Sequence, residues 1–382
     1  MPDLPVPDAD ALALSAKLVE RIRMAIAAGS GRLGFDAYMQ MALYEPGLGY
    51  YVNGARKFGA EGDFTTAPER SPLFARALAR QVAQVLAAVP DGEVLEFGPG
   101  SGALAAELLA ELDLLGCLPQ RYLLLELSAE LQQRQREAIA RRVPHLVGRV
   151  AWLSQLPDRV AGVVIANEVL DAMPVRRFRV AEGGIAELYV TAAGEGLERV
   201  ADAPQDDRLA ARLEQLNLPT GYESEVNFAA EAWVRTLCER LQHGLLLLID
   251  YGYPQAEYYH PQRHTGTLQC HYRQRAHGDA LLWPGLQDIT AHVDFTAMAQ
   301  AACATLAGFA NQAQFLINCG LPQLLEAVDP ADPRYLELAL QARQLLLPQA
   351  MGEAFKVLAL TRGLDDVGGL IGFANGDRRH RL

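Results

Sequence analysis

The stretch Glu93-Val94-Leu95-Glu96-Phe97-Gly98-Pro99-Gly100-Ser101-Gly102-Ala103 constrains this chain more than any other. Val94 to Phe97 has strand length, and Leu104, Leu108, Leu109 and Leu112 recur behind it at helical spacing. Three glycines in five residues separate the two patterns. Without a Cβ, glycine lets the backbone turn sharply, take positive φ and approach a ligand closely. The first turn of the following helix offers unpaired N–H groups. Strand, glycine turn and helix in that order point to an α/β sheet that binds a ligand beyond the carboxyl end of its strands.

Two ligand classes stay open on these residues. Gly98, Gly100 and Ala103 satisfy the dinucleotide fingerprint G-x-G-x-x-G/A. Glu96, two residues before the first glycine, repels a phosphate but suits a cation. S-adenosylmethionine carries an ammonium and a sulfonium and no phosphate, so Glu96 favours a methyl donor. Glu126 ends the next apolar run, roughly two dozen residues past Gly102, where a carboxylate can accept both ribose hydroxyls. Trp152 and Leu153, at the end of a third strand, are candidates to flank an adenine ring or to pack in the core.

The rest of the chain repeats the alternation. Strands are expected over Arg121 to Leu127, Val150 to Leu153, Ala161 to Ala166 and Leu245 to Ile249, with a helix over Ala129 to Arg142. Strands apolar on both faces and alternating with helices indicate a parallel sheet covered on both sides. Gln314 to Asn318 and Ala354 to Leu360 read as two closing strands. Helices are expected at Ala11 to Ala28, Phe35 to Tyr44 and Pro72 to Ala88. Residues 1–71 form an N-terminal helical region with a donor-covering loop, and 72–382 the main domain. Insertions at 175–230, with a hairpin, and at 253–295 follow the carboxyl ends of strands, where they shape substrate access.

Net charge of −12 argues against nonspecific nucleic-acid binding. Five scattered cysteines without a C-x-x-C pair imply reduced thiols and no zinc site. The N-terminus has neither a basic segment nor a long apolar core, and Leu245 to Ile249 is far too short to span a bilayer. These features imply a cytoplasmic chain without membrane insertion; its oligomeric state is not encoded in any visible pattern.

Several polar groups follow apolar strands. Asn167 and Glu168 end the fourth strand, with Asp171 close behind; either acid can pair with a guanidinium or take its proton. Asp250 and Tyr251 end the fifth. Asp288, His292 and Asp294 alternate in the second insertion; a metal face there lacks a second cluster, so hydrogen bonding within the insertion, or substrate contact by His292 and Asp294, is the expectation. Ser101, His292 and Asp250 do not make a hydrolase triad, because no G-x-S-x-G elbow is present. In the glycine-flanked loop before the sheet, Asp63 is placed to meet a donor ammonium, and Thr65 and Thr66 its carboxylate.

Seven ordered blocks then carry a resemblance: Gly62 to Glu69, Glu96 to Gly102, Ala166 to Pro174, Ile249 to Gly252, Gly266 to Gln269, Asp288 to Phe295 and Met351 to Leu358. From about Tyr38 to Leu360 the chain resembles the MidA family of class I methyltransferases, which includes the mitochondrial methyltransferase of respiratory complex I assembly. The resemblance implies a seven-stranded Rossmann-like sheet with its last strand antiparallel and S-adenosylmethionine as donor. It also implies a protein acceptor, methylated at arginine, such as a complex I subunit. Glu168 is similar in position to the first glutamate after the fourth strand of protein arginine methyltransferases. The second glutamate of that pattern is missing, and the next acid is Asp171. That departure keeps two alternatives in view, a donor-binding assembly scaffold with little turnover and a small-molecule methyltransferase.

Overall fold

The computed structural model describes residues 4–53, 66–364 and 368–382. The chain divides into two compact units. One comprises 65–170, 232–252 and 295–382, and the other 1–64, 171–231 and 253–294.

The first unit is built on a sheet whose main path has seven strands: β1 (Glu93–Phe97), β2 (Tyr122–Leu125), β3 (Val150–Leu153), β4 (Val160–Asn167), β5 (Leu241–Tyr253), β6 (Thr305–Asn311) and β7 (Phe355–Arg362). Their order is β6-β7-β5-β4-β1-β2-β3. β1 pairs in parallel with both β2 and β4, and β4 with β5. β7 runs antiparallel to β5 and β6, so the last strand is the reversed one. This is the Rossmann-like methyltransferase sheet. Strands β1 to β3 step one way from β1, and β4 and β5 step the other. The crevice between the ends of β1 and β4 is therefore the switch point, where such sheets bind ligands.

Helices α1 (Pro72–Ala88), α2 (Ala103–Leu114) and α3 (Ala129–Arg142) belong to this unit. α1 starts where Pro72 pre-sets the first helical φ and the Ser71 hydroxyl accepts from the Leu73 amide at 3.2 Å. Leu104, Leu108, Leu109 and Leu112 of α2 are all buried, with Val94, Leu124, Val163 and Leu247, in one core.

One expectation fails here. Gln314 to Asn318 is not a strand but part of helix α4 (Gln312–Asn318). Asn311 caps it, its side-chain oxygen accepting from the Gln314 amide at 2.9 Å, and that local bond competes with strand pairing. The closing strand lies just before it. Gly308 had masked it, since a glycine weakens a strand pattern. The register shifts between Leu306 and Gly308, and a Cβ on Gly308 would lie 2.3 Å from the Phe373 ring.

The second unit holds helices Ala9–Ala28 and Phe35–Tyr44 and the expected hairpin, Arg176–Ala181 with Gly184–Ala193. The hairpin belongs to a five-stranded sheet with Leu33–Gly34, Gly196–Asp202 and Glu223–Val226. A three-stranded sheet joins Gln269–Tyr272, Arg275–His277 and Asp288–Thr290. Leu18, Ile22, Phe35, Tyr38 and Ile289 share a core in this unit.

Candidate donor site

Gly98, Gly100 and Gly102 all take left-handed backbone, at φ 58°, 51° and 85°. L-residues with a side chain pay roughly 1–2 kcal/mol for that region. Space is short as well: a Cβ on Gly102 would sit 3.0 Å from the Gln135 Cα, and one on Gly98 3.2 Å from Val169. Gly102 caps α2, and the Gly102 amide donates back to the Pro99 carbonyl at 2.8 Å. The Ser101 hydroxyl donates to the Glu69 carboxylate, tying the turn to the short helix Ala67–Arg70.

Glu96 is 2 % exposed inside β1, and its carboxylate accepts from the Tyr122 hydroxyl at 2.6 Å. Burial pushes its carboxyl up to about 7, against the pull of that bond. Glu126 follows β2 directly. Its two oxygens accept from the Ser128 amide at 2.8 Å and the Gln135 amide side chain at 3.3 Å. Burial raises its carboxyl from the ordinary value, and these bonds oppose the rise. The Leu153 carbonyl accepts from the Glu126 amide at 3.2 Å, which joins the ends of β2 and β3. Trp152 donates to the Gln135 oxygen at 2.8 Å and carries the Arg136 guanidinium over its ring at 3.8 Å.

At the end of β4, Asn167 donates to Glu168 at 3.2 Å, while its buried side-chain oxygen has no partner among the described residues. Glu168 is held at φ 53°, a costly conformation for a residue with a side chain. Its carboxylate accepts from the Ala67 amide at 3.3 Å, and its own amide donates to Ile249 at 2.9 Å. Asp250 is fully buried and accepts from the Leu170 and Tyr251 amides at 3.0 and 2.9 Å. It thus ties the turns after β4 and β5 together. Tyr251 packs edge-on against Phe355, with 5.5 Å between centroids.

Asp171, His292 and Asp294 belong to the other unit. The Asp171 carbonyl accepts from Ala291 at 2.9 Å. The His292 amide donates to Thr267 at 3.0 Å, and its ring lies 5.3 Å from Tyr253. Asp294 ends the two-residue strand Val293–Asp294. Thr66 is the N-cap of the Ala67–Arg70 helix without using its side chain. Asp63 and Thr65 lie outside the described residues. Among the described residues, no group of three or more His, Cys, Asp or Glu is arranged to hold a metal ion.

Two residues escaped the sequence reading, Gln135 and Glu69. Gln135 and Ile139 are the only buried residues of α3. That pairing at helical spacing on an otherwise charged helix was the signal available for Gln135. Glu69 sat in a loop too polar and glycine-rich to read as core.

At the switch point stand the glycine turn, the Glu126 carboxylate and the buried Asn167 side-chain oxygen. The family model described as "Putative S-adenosyl-L-methionine-dependent methyltransferase" matches residues 77–311. The chain belongs to this family. Its members are the MidA-like methyltransferases, and their donor is S-adenosylmethionine. The methyltransferase is 30% identical over 373 residues to the mouse mitochondrial protein arginine methyltransferase NDUFAF7, covering 87% of this chain and 81% of the relative. The Caenorhabditis elegans homologue is 26% identical over 385 residues, covering 90% and 85%. A Burkholderia thailandensis protein solved with S-adenosyl-homocysteine bound is 47% identical and superimposes over the whole of both chains with a TM-score of 0.96. No helix among the described residues is long and apolar enough to cross a membrane.

Proposed function

We propose that this methyltransferase transfers the donor methyl group to an arginine side chain of a protein, a respiratory complex I subunit being the acceptor to test first. The observation that carries the reading is Glu168, a carboxylate held in strained backbone beside Asn167 at the switch point. Strain of this kind persists where the surrounding structure over-determines it, and it clusters at active sites. The names of the mouse and nematode relatives support arginine as the acceptor.

The bound donor supplies an electrophilic methyl on a sulfonium. A guanidinium nitrogen forms the new N–C bond as the C–S bond breaks, the electron pair leaving with sulfur as a thioether. The Glu168 carboxylate pairs with the guanidinium, which orients the attacking nitrogen, and takes the one proton that this nitrogen gives up. Tyr251 acts on the acceptor side, and Asp250 acts through the turns it holds. Glu96, Gly98, Gly100, Gly102, Glu126, Leu153, Asn167 and Thr66 serve the donor.

Purified protein is incubated with methyl-labelled donor and complex I subunits, and the modified residue is found by mass spectrometry. The expected result is labelled arginine that disappears in Gly100→Val and falls at least a hundredfold in Glu168→Gln, the scale of a lost catalytic proton acceptor. Donor binding without any protein labelling would replace this reading with an assembly scaffold. Labelling confined to small molecules would replace the protein acceptor.

A further inference from the structure

Gln135 has no exposed surface and meets three parts of the donor site at once. Its amide nitrogen donates to the Gly100 carbonyl at 2.9 Å and to Glu126 at 3.3 Å. Its oxygen accepts from the Trp152 indole at 2.8 Å. The indole can only donate, and a carbonyl and a carboxylate can only accept, so the amide is satisfied in one orientation alone. Reversing it would set two donors together and oxygen against two acceptors. The glycine turn, the end of β2 and the end of β3 therefore share one rigid peg on α3. The other Glu126 oxygen is taken by the Ser128 amide at 2.8 Å, so the carboxylate plane is held from both sides.

We propose that Gln135 is a positioning residue of the donor site: it fixes the Glu126 carboxylate against the glycine turn so that the donor ribose is received in one geometry. The inference rests on Glu126 as the ribose acceptor and is independent of which acceptor is methylated. Any fully buried amide needs partners, and those of Gln135 are the glycine turn, Glu126 and Trp152. The charged groups around it are engaged elsewhere: Arg136 lies over Trp152, Glu130 pairs with Arg134, and Glu96 holds Tyr122. Burial raises the Glu126 carboxyl, and the Ser128 and Leu127 amides and Gln135 hold it down.

The test is calorimetric titration with S-adenosyl-homocysteine from pH 5 to pH 8, on wild type, Gln135→Met, Glu126→Gln and the double variant. Methionine keeps the length and apolar stem of glutamine and removes its hydrogen bonds. Gln135→Met is expected to melt cooperatively and to bind roughly tenfold more weakly at pH 7, the scale of one hydrogen bond to a charged group. Its affinity should also start to fall at a higher pH on acidification than in wild type, because Glu126 protonates earlier once that bond is lost. On the Glu126→Gln background the methionine change should add less than on wild type. An equal loss on both backgrounds, or an unmoved pH profile, overturns the positioning role and leaves Gln135 as packing. A Glu126→Gln protein that binds as tightly as wild type overturns the ribose reading of Glu126, and the role of Gln135 with it. Failure to label any protein would leave all of these binding results standing.

Discussion

The sheet that carries the glycine turn buries aliphatic strands: Leu245, Leu246, Leu247 and Leu248 have no exposed surface. The other unit buries ions. Arg176, 4 % exposed, forms a two-pronged pair with the fully buried Glu187 at 2.7 and 2.6 Å, and Asp206 joins it at 2.8 Å. Glu187 also accepts from the Tyr189 hydroxyl and the Gln205 amide, both at 2.9 Å. Fully buried Glu225 accepts from the Thr267 and Leu268 amides at 3.0 and 3.2 Å, and Arg177 lies over the Phe35 ring at 5.3 Å. Aliphatic packing tolerates many sequences of the right size, whereas a buried charge demands its particular partner. The first unit is therefore held mainly by aliphatic pattern, with Glu96 and Asp250 as buried acids, and the second by specific pairs between distant segments.

The sharpest way to break this contrast is Glu187→Ala. It takes the two-pronged partner from the buried Arg176 guanidinium, leaving it the more exposed Asp206, and should cost about 3–5 kcal/mol, read from urea unfolding. Replacing both partners, Arg176→Met with Glu187→Leu, should restore most of that loss. A single-variant cost under about 1 kcal/mol would erase the distinction between the units.

The next effect concerns pH, and its sign differs between the units. With its carboxyl raised from 4.5 to about 7, Glu96 keeps a proton in the folded protein that the unfolded chain has released. Stability from this group is thus present below pH 4.5 and is lost as pH rises to about 7, in all about 3 kcal/mol. Glu96→Gln should flatten that slope in urea titrations at pH 5 and pH 7.5. Asp206 is the reverse case. Arg176 lowers its carboxyl, so its contribution is present above the ordinary aspartate value and lost as pH falls through the lowered one. An unchanged slope in Glu96→Gln would mean that β1 carries no buried titration.

A smaller effect should touch binding alone. Asn167→Ala removes the buried oxygen that has no partner among the described residues. It should weaken S-adenosyl-homocysteine binding by about 1–3 kcal/mol by calorimetry, with little change in unfolding midpoint. The smallest belongs to the surface of the first unit, where Glu107 pairs with Arg142 at 2.6 Å and Arg76 at 3.3 Å. Glu107→Ala should cost no more than about 1 kcal/mol in the same unfolding assay. A larger loss would show that this unit too depends on ion pairs.

The strand, turn and helix of the candidate donor site were legible because their signals are local. A glycine at positive φ, a carboxylate after an apolar run and a helix behind a turn each depend on a few adjacent residues. β3 matched its expected bounds, and the strand ending in Asn167-Glu168 differed by a residue at each end, because continuous apolar runs need no partner to be recognised. The Gln314 to Asn318 segment misled because five residues with apolar members fit a strand or a helix equally well. The deciding Asn311 cap was itself local and readable.

Sequence alone determined the strand–turn–helix around Gly98 to Gly102 and the parallel sheet, and through Glu96 it favoured a donor without phosphate, since these follow from residues within a turn of one another. Tertiary structure alone decided that Gln135 bridges Gly100, Glu126 and Trp152, and that Asp250 ties the turns after β4 and β5. It also decided that Arg176 finds Glu187 and Asp206. Each of these rests on a polar side chain driven out of water by the fold, where only particular partners satisfy it. Nothing in a linear chain records which partner that will be.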